Sequence, residues 1–155
     1  LRNELTTLVL VLCLSSNLAI GSKDLDKALV CDNQAINSEI SPFVKQKITT
    51  WGLKRTHDIR YTRASWYGDD FHGRITANSE VYNKNSLTCA HKTLPLNSYL
   101  LVTNLENNKQ VIVRVNDRGP YVIGREVDLS ESAAKAIDSK KTGLAFIKYE
   151  VLYKA

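Results

Sequence analysis

Gln110-Val111-Ile112-Val113-Arg114-Val115-Asn116-Asp117-Arg118-Gly119-Pro120 is the stretch on which the fold turns. Val111, Val113 and Val115 alternate with Ile112 and Arg114, the period of a strand, and Gly119-Pro120 stops the run. Asp117 therefore stands at a strand end, an acid flanked by Arg114 and Arg118 with a rigid turn behind it. A carboxylate held at the rim of a sheet is a common way of presenting an acid to a substrate. An Asp that only caps a turn or pairs with Arg118 is the plainer alternative.

Short apolar runs of the same kind lie on both sides. Ala64–Tyr67, Tyr99–Asn104, Val127–Leu129 and Lys148–Tyr153 are further strand candidates, at spacings typical of a small barrel or sandwich. Glu106-Asn107-Asn108-Lys109 reads as a hairpin turn joining the second of these runs to Gln110–Val115. One short helix fits, with Ser130 as N-cap and Glu131–Ile137 as body, favoured by Ala133, Ala134 and Ala136. Between residues 22 and 62 the chain is polar and weakly patterned, Pro42 interrupts it, and Val44–Ile48 supports a short helix at best. That region reads as a linker or a loosely docked extension, with the barrel spanning 63–155.

With 155 residues the chain is long enough for one core and short for two. A net charge of +5 and a pI near 9.1 favour anionic partners. Nucleic acid is not expected among them, because Lys45, Lys47, Lys140 and Lys141 are scattered and form no binding arm. The first 21 residues read as a secretory signal: Arg2, a Leu- and Val-rich run from Leu5 to Leu14, then small residues before cleavage after Gly21 or Ala19. The run is about half the roughly 20 residues of a membrane span, although Glu4 is awkward in such a leader and an uncleaved anchor is the alternative. An exported, periplasmic or cell-envelope protein, soluble after cleavage, is the expectation. Cys13 follows Leu12 instead of a small residue, so no lipid anchor is expected, and Cys31 with Cys89 leaves open either one disulfide or two free thiols. No Cys/His spacing suits a zinc site; neither a metal nor another cofactor is implied.

Polar and aromatic groups gather around the strand candidates. Ser65-Trp66-Tyr67-Gly68 ends one run, and Phe71-His72-Gly73, Thr76-Ala77-Asn78-Ser79-Glu80 and Ala90-His91-Lys92-Thr93-Leu94-Pro95 follow. Exposed rings beside carboxylates suit sugars, since pyranose faces stack on aromatics while carboxylates take hydroxyls. Core packing is the alternative for Trp66 and Tyr67, and a structural hydrogen bond for His91.

The order of these motifs, continued through Leu87-Thr88, Val102-Thr103-Asn104, Val113 to Pro120 and Val127-Asp128-Leu129-Ser130, resembles the RlpA (rare lipoprotein A) family over about Arg63–Tyr153. The resemblance implies a mainly β fold, a six-stranded double-psi β-barrel with one or two short helices, shared with expansins, barwin-like proteins and family 45 endoglucanases. It implies an endolytic peptidoglycan transglycosylase that cuts glycan strands, preferably peptide-stripped, and leaves 1,6-anhydro-N-acetylmuramic acid ends. Glu80, His91 and Asp117 match the positions that family uses for activity, with Asp117 the expected general acid and Glu80 the alternative donor. Trp66, Tyr67, His72, Lys92, Asn116 and Arg118 are the expected substrate contacts. Arg114 or Arg118 close to Asp117 would lower its pKa and oppose proton donation, so both are expected to point elsewhere, or Glu80 to offset them by like-charge coupling. The chain departs from the family at Ser79, commonly Gly, and at Cys89, usually Ala, and no C-terminal SPOR module is expected. A non-catalytic, expansin-like glycan-binding barrel is the competing class, and a family-45-like hydrolase a third; retention of both Glu80 and Asp117 favours catalysis.

Overall fold

The computed structural model describes residues 40–67 and 71–154. The expected leader at 1–21, Cys13, Cys31 and Gly68 lie outside the described residues. Six strands, β1 (Leu53–Trp66), β2 (Thr88–His91), β3 (Tyr99–Asn104), β4 (Gln110–Asp117), β5 (Arg125–Leu129) and β6 (Ala145–Lys154), close into a barrel in the order β1-β5-β2-β4-β3-β6. Helix α1 (Pro42–Thr50) precedes them and α2 (Glu131–Ala136) lies between β5 and β6. The expected mainly β six-stranded barrel with two short helices is therefore present. Pairs β1/β5 and β2/β4 run parallel and the other four antiparallel, so the chain must cross over the barrel instead of winding round it as a meander.

Alternation along the strands builds two apolar layers. Val113 and Val115 of β4 join Leu100, Val102, Val127, Leu129, Ile147 and Tyr149 inside the barrel. On the outside, Ile112, Leu101 and Leu152 are covered by Ile40, Val44 and Ile48, the last two one helical turn apart on α1. Ser41 caps that helix by accepting from the Val44 N–H at 3.3 Å, and Pro42 opens it where its missing N–H costs nothing. In α2 the expected cap is in place: Ser130 Oγ accepts from Ala133 N at 3.2 Å.

The barrel begins earlier than the sequence suggested. Residues 53–62, assigned to the N-terminal extension, pair with β6 from Leu53↔Lys154 to Thr62↔Ile147. Most of them face solvent on both sides, so no apolar alternation announces the strand. The pairing is interrupted between Arg55 and Ile59, where His57 takes φ +60°. Buried Glu150 stitches this bulge together: its carboxylate accepts from His57 N at 3.0 Å and from Arg55 Nε and Nη2 at 2.9 and 2.6 Å.

Strand β2 was also missed, for the opposite reason. Thr88, Cys89, Ala90 and His91 are all buried, so the strand is covered on both faces and carries no alternation. Cys89 is a fully buried free thiol, and burial pushes its pKa up.

Candidate active site

The site is assembled where a small hairpin folds over the end of β4. Ile75 bridges Val81, Thr76 N donates to Glu80 O at 2.8 Å, and Ser79 N donates to Thr76 O at 2.9 Å. Ser79 carries φ +68°, a left-handed conformation that glycine adopts without steric cost and that accounts for a glycine preference at this turn. The turn is fastened to the strand by Asn78 N donating to Asn116 O at 3.2 Å and Ala77 N donating to Asp117 Oδ1 at 2.9 Å.

Asp117 Oδ1 accepts a second backbone bond, from Arg118 N at 2.8 Å. With Oδ1 held by two N–H groups, a proton on this carboxyl belongs on Oδ2. Oδ2 lies 3.5 Å from Tyr67 Oη. Burial, then the charges of Asp117 and Asp128, raise the Tyr67 pKa, so the phenol stays protonated and donates. Tyr67, Phe71, Arg74, Ile75, Thr76 and Tyr82 line a pocket of about 220 Å³ with Asp117 in its wall. The Tyr67 ring meets Phe71 at 5.4 Å and Tyr82 edge-on at 5.3 Å, which fixes the phenol in place.

Neither arginine points at Asp117. Arg114 grips Glu80 with both arms, Nη1 to Oε1 at 2.8 Å and Nη2 to Oε2 at 2.7 Å, and Nη1 also donates to Asn97 Oδ1 at 2.7 Å. Arg118 turns its Nη1 to the carbonyls of His91 (3.2 Å) and Leu94 (2.9 Å). Among the described residues no ion pair involves Asp117. The Arg114 guanidinium holds Glu80 below the usual carboxylate range, with Asn116 and Asn78 adding to the effect. Glu80 is thus ionised and occupied, and its grip ties the hairpin to the outer face of β4.

His91, at the end of β2, is buried beneath the turn that follows it. Its Nδ1 accepts from Thr93 N (3.2 Å) and Leu94 N (3.1 Å), so the ring proton resides on Nε2 and is donated to Tyr149 Oη at 3.1 Å. Tyr149 in turn donates to Glu126 Oε2 at 2.8 Å. Burial lowers the His91 pKa, outweighing the opposite pull of Glu126. The imidazole organises the turn that receives Arg118 and lies outside the Asp117 pocket.

Of the expected substrate contacts, Tyr67 meets Asp117 directly, and Asn116 and Arg118 flank it in the strand end and the turn beyond. Trp66 packs against the barrel core, with Lys140 Nζ 5.3 Å from its ring centroid. His72 is exposed and accepts from Lys84 N at 3.3 Å, while Lys92 lines a different cavity. Arg74 also lines the pocket, and four further wall residues, Phe71, Ile75, Thr76 and Tyr82, went unassigned because they lie in loops without periodicity. So did Asp128, in register with Ala90 on β2, which is itself in register with Asp117 on β4. Ser65 Oγ hydrogen-bonds Asp128 Oδ1, placing a second carboxylate on the sheet row of Asp117. Among the described residues no group of three or more His, Cys, Asp and Glu side chains is arranged to hold a metal.

Residues 60–149, more than half of the chain, match the lytic transglycolase family. The endolytic peptidoglycan transglycosylase RlpA of Campylobacter jejuni is 60% identical over 89 residues, which cover 57% of this chain and 32% of that protein. The protein of the same name from Pseudomonas aeruginosa is 59% identical over 87 residues, covering 56% of this chain and 26% of that one. The chain thus spans about a third or less of these relatives' length. Among solved structures, a Streptomyces papain inhibitor superposes with a TM-score of 0.51 at 18% identity, over 61% of this chain and 94% of that one. A Clavibacter michiganensis expansin superposes with a TM-score of 0.51 at 21% identity, over 63% and 52%. At such identities the two structures share the barrel fold.

Proposed function

The chain belongs to the lytic transglycolase family, and on that premise we propose that it is an endolytic peptidoglycan transglycosylase. In this reading it cleaves the bond between N-acetylmuramic acid and N-acetylglucosamine inside glycan strands, preferably strands stripped of their peptides. The observation that carries the reading is the Asp117 carboxyl, with Oδ1 fixed by two backbone N–H groups and Oδ2 beside Tyr67 at a pocket. Protonated on Oδ2, Asp117 gives its proton to the glycosidic oxygen as the bond to C1 breaks. The C6 hydroxyl of the same muramic acid unit attacks C1, and its proton returns to Oδ2. A 1,6-anhydro ring forms, no water is consumed, and one carboxyl group serves as acid and then as base. Tyr67 orients Oδ2 and, as a hydrogen-bond donor, steadies the carboxylate between the two transfers.

Glu80 and His91 act through other groups. Glu80 pins the hairpin through Arg114, and His91 shapes the turn that draws the Arg118 side chain away from Asp117. Both guanidinium groups are engaged elsewhere, and neither forms an ion pair with Asp117. The positive net charge suits strands whose free lactyl groups are carboxylates. Such a substrate lies in the cell envelope, which fits export by the leader read in residues 1–21.

Mass analysis of products from amidase-treated peptidoglycan tests the reading. Anhydro ends are expected from the parent chain and a loss of about 10²–10⁴-fold in Asp117→Asn. Glu80→Gln, which keeps an acceptor for Arg114, is expected to retain turnover, whereas Glu80→Ala loses most of it. Binding to strands that stay intact would instead identify a glycan-binding barrel.

A further inference from the structure

A second cavity, of about 490 Å³, opens at the β1, β5 and β6 side of the barrel mouth, and its walls have the chemistry of an anion site. Arg63 on β1 stands in register with Arg125 on β5 and with Phe146 on β6, so two cations are direct cross-strand neighbours. Like charges in that position repel unless an anion is shared between them. Lys92 lines the same cavity. None of the three cations has a carboxylate within ion-pair distance among the described residues. The acid in the cavity wall, Glu126, accepts from Tyr149, and three cations against this one carboxylate leave the wall net positive.

The two arginines are also pre-positioned. Arg63 lies over the Phe146 ring, its Cζ 4.8 Å from the centroid, a cation–π contact that holds the guanidinium at the cavity wall. Arg125 is tethered by Nη1 to Ser65 Oγ at 2.8 Å, while its buried Nε has no acceptor. Tyr61, 69% exposed, supplies an open aromatic wall of the kind on which a pyranose ring stacks. Lys92 belongs to the turn whose carbonyls hold Arg118, the residue next to Asp117, so cavity and acid are joined by one short structural link.

We propose that this cavity is a subsite for the carboxylate of an acidic sugar unit in the glycan strand, away from the bond that is cut, with Arg63 and Lys92 as the carboxylate's partners and Tyr61 as the stacking face. The proposal rests on the glycan-cleaving reading given above and adds a source of selectivity to it. A muramic acid unit whose lactyl group is free offers the carboxylate; one whose lactyl group is amide-linked to a peptide does not.

The test uses the full chain carrying Asp117→Asn, which retains the cavity, and labelled glycan strands released by amidase. Half of the strands are left with free carboxylates and half have them converted to methylamides. The Asp117→Asn parent is expected to bind the free-acid strands about tenfold more tightly, and adding Arg63→Gln and Lys92→Gln abolishes that preference without weakening binding to the amidated strands. Lys92→Gln alone, at an exposed position, should remove about threefold and serves if the combined variant melts early. A parent indifferent to amidation overturns the subsite, as does a combined variant that still prefers the free acid. Failure of the functional reading looks different: the chain with Asp117 intact then yields no anhydro ends on either kind of strand.

Discussion

The two arginines beside Asp117 are aimed by partners far away in the chain, Glu80 for Arg114 and the turn at His91–Leu94 for Arg118. Those contacts exist only after the hairpin and β2 have folded onto β4. Ser79 gives a first prediction at this scale. Its φ of +68° costs a non-glycine residue on the order of 1 kcal/mol, so Ser79→Gly should raise unfolding stability by about that amount in denaturant titration; a loss would show that the hydroxyl matters more than the backbone. His91 gives a second. Its folded pKa lies below the ordinary 6.5, so the folded protein binds fewer protons there than the unfolded chain. The contribution is complete above pH 6.5 and is lost as pH falls from there towards the folded value. Stability measured at pH 7.5 and 5.5 should fall more in the parent than in His91→Gln, and an equal or smaller fall in the parent would contradict a buried neutral imidazole.

At the scale of elements, legibility followed burial. Strand β3 was bounded as found, and the α2 N-cap at Ser130 was correct, because one-sided burial leaves a period and a helix start leaves a cap residue. Strand β2 left neither, being covered on both faces, and the first half of β1 left neither, being open on both. What holds that open half is Glu150, which satisfies a guanidinium and a backbone N–H at the bulge while almost wholly buried. Removing its charge takes from Arg55 a carboxylate partner in a poorly solvated place. Glu150→Gln is therefore expected to cost about 3 kcal/mol in denaturant unfolding, and a change below about 1 kcal/mol would mean that the bulge is held by strand pairing alone.

Across the whole molecule, closure of the barrel sets what can be cut away. Leu53–Thr62 pair with β6, so a chain starting at residue 63 lacks most of the 14-residue closing strand β1 and should not fold cooperatively, whereas one starting at residue 40 should. Starting at residue 53 removes α1 and bares Leu101, Ile112 and Leu152; stability should drop by about 3 kcal/mol or more, read from the same denaturant curves. Cooperative folding of the chain from residue 63 would contradict this account of the barrel. The same closure brings residues 67, 77 and 117 from separate loops and strand ends to one carboxyl group, which no local pattern announces. The chemistry assigned to that group is intramolecular. Cleavage of amidase-stripped glycan strands in heavy-oxygen water tests it most directly: the account predicts anhydro ends that carry no label and disappear in Asp117→Asn, and labelled reducing ends would contradict it.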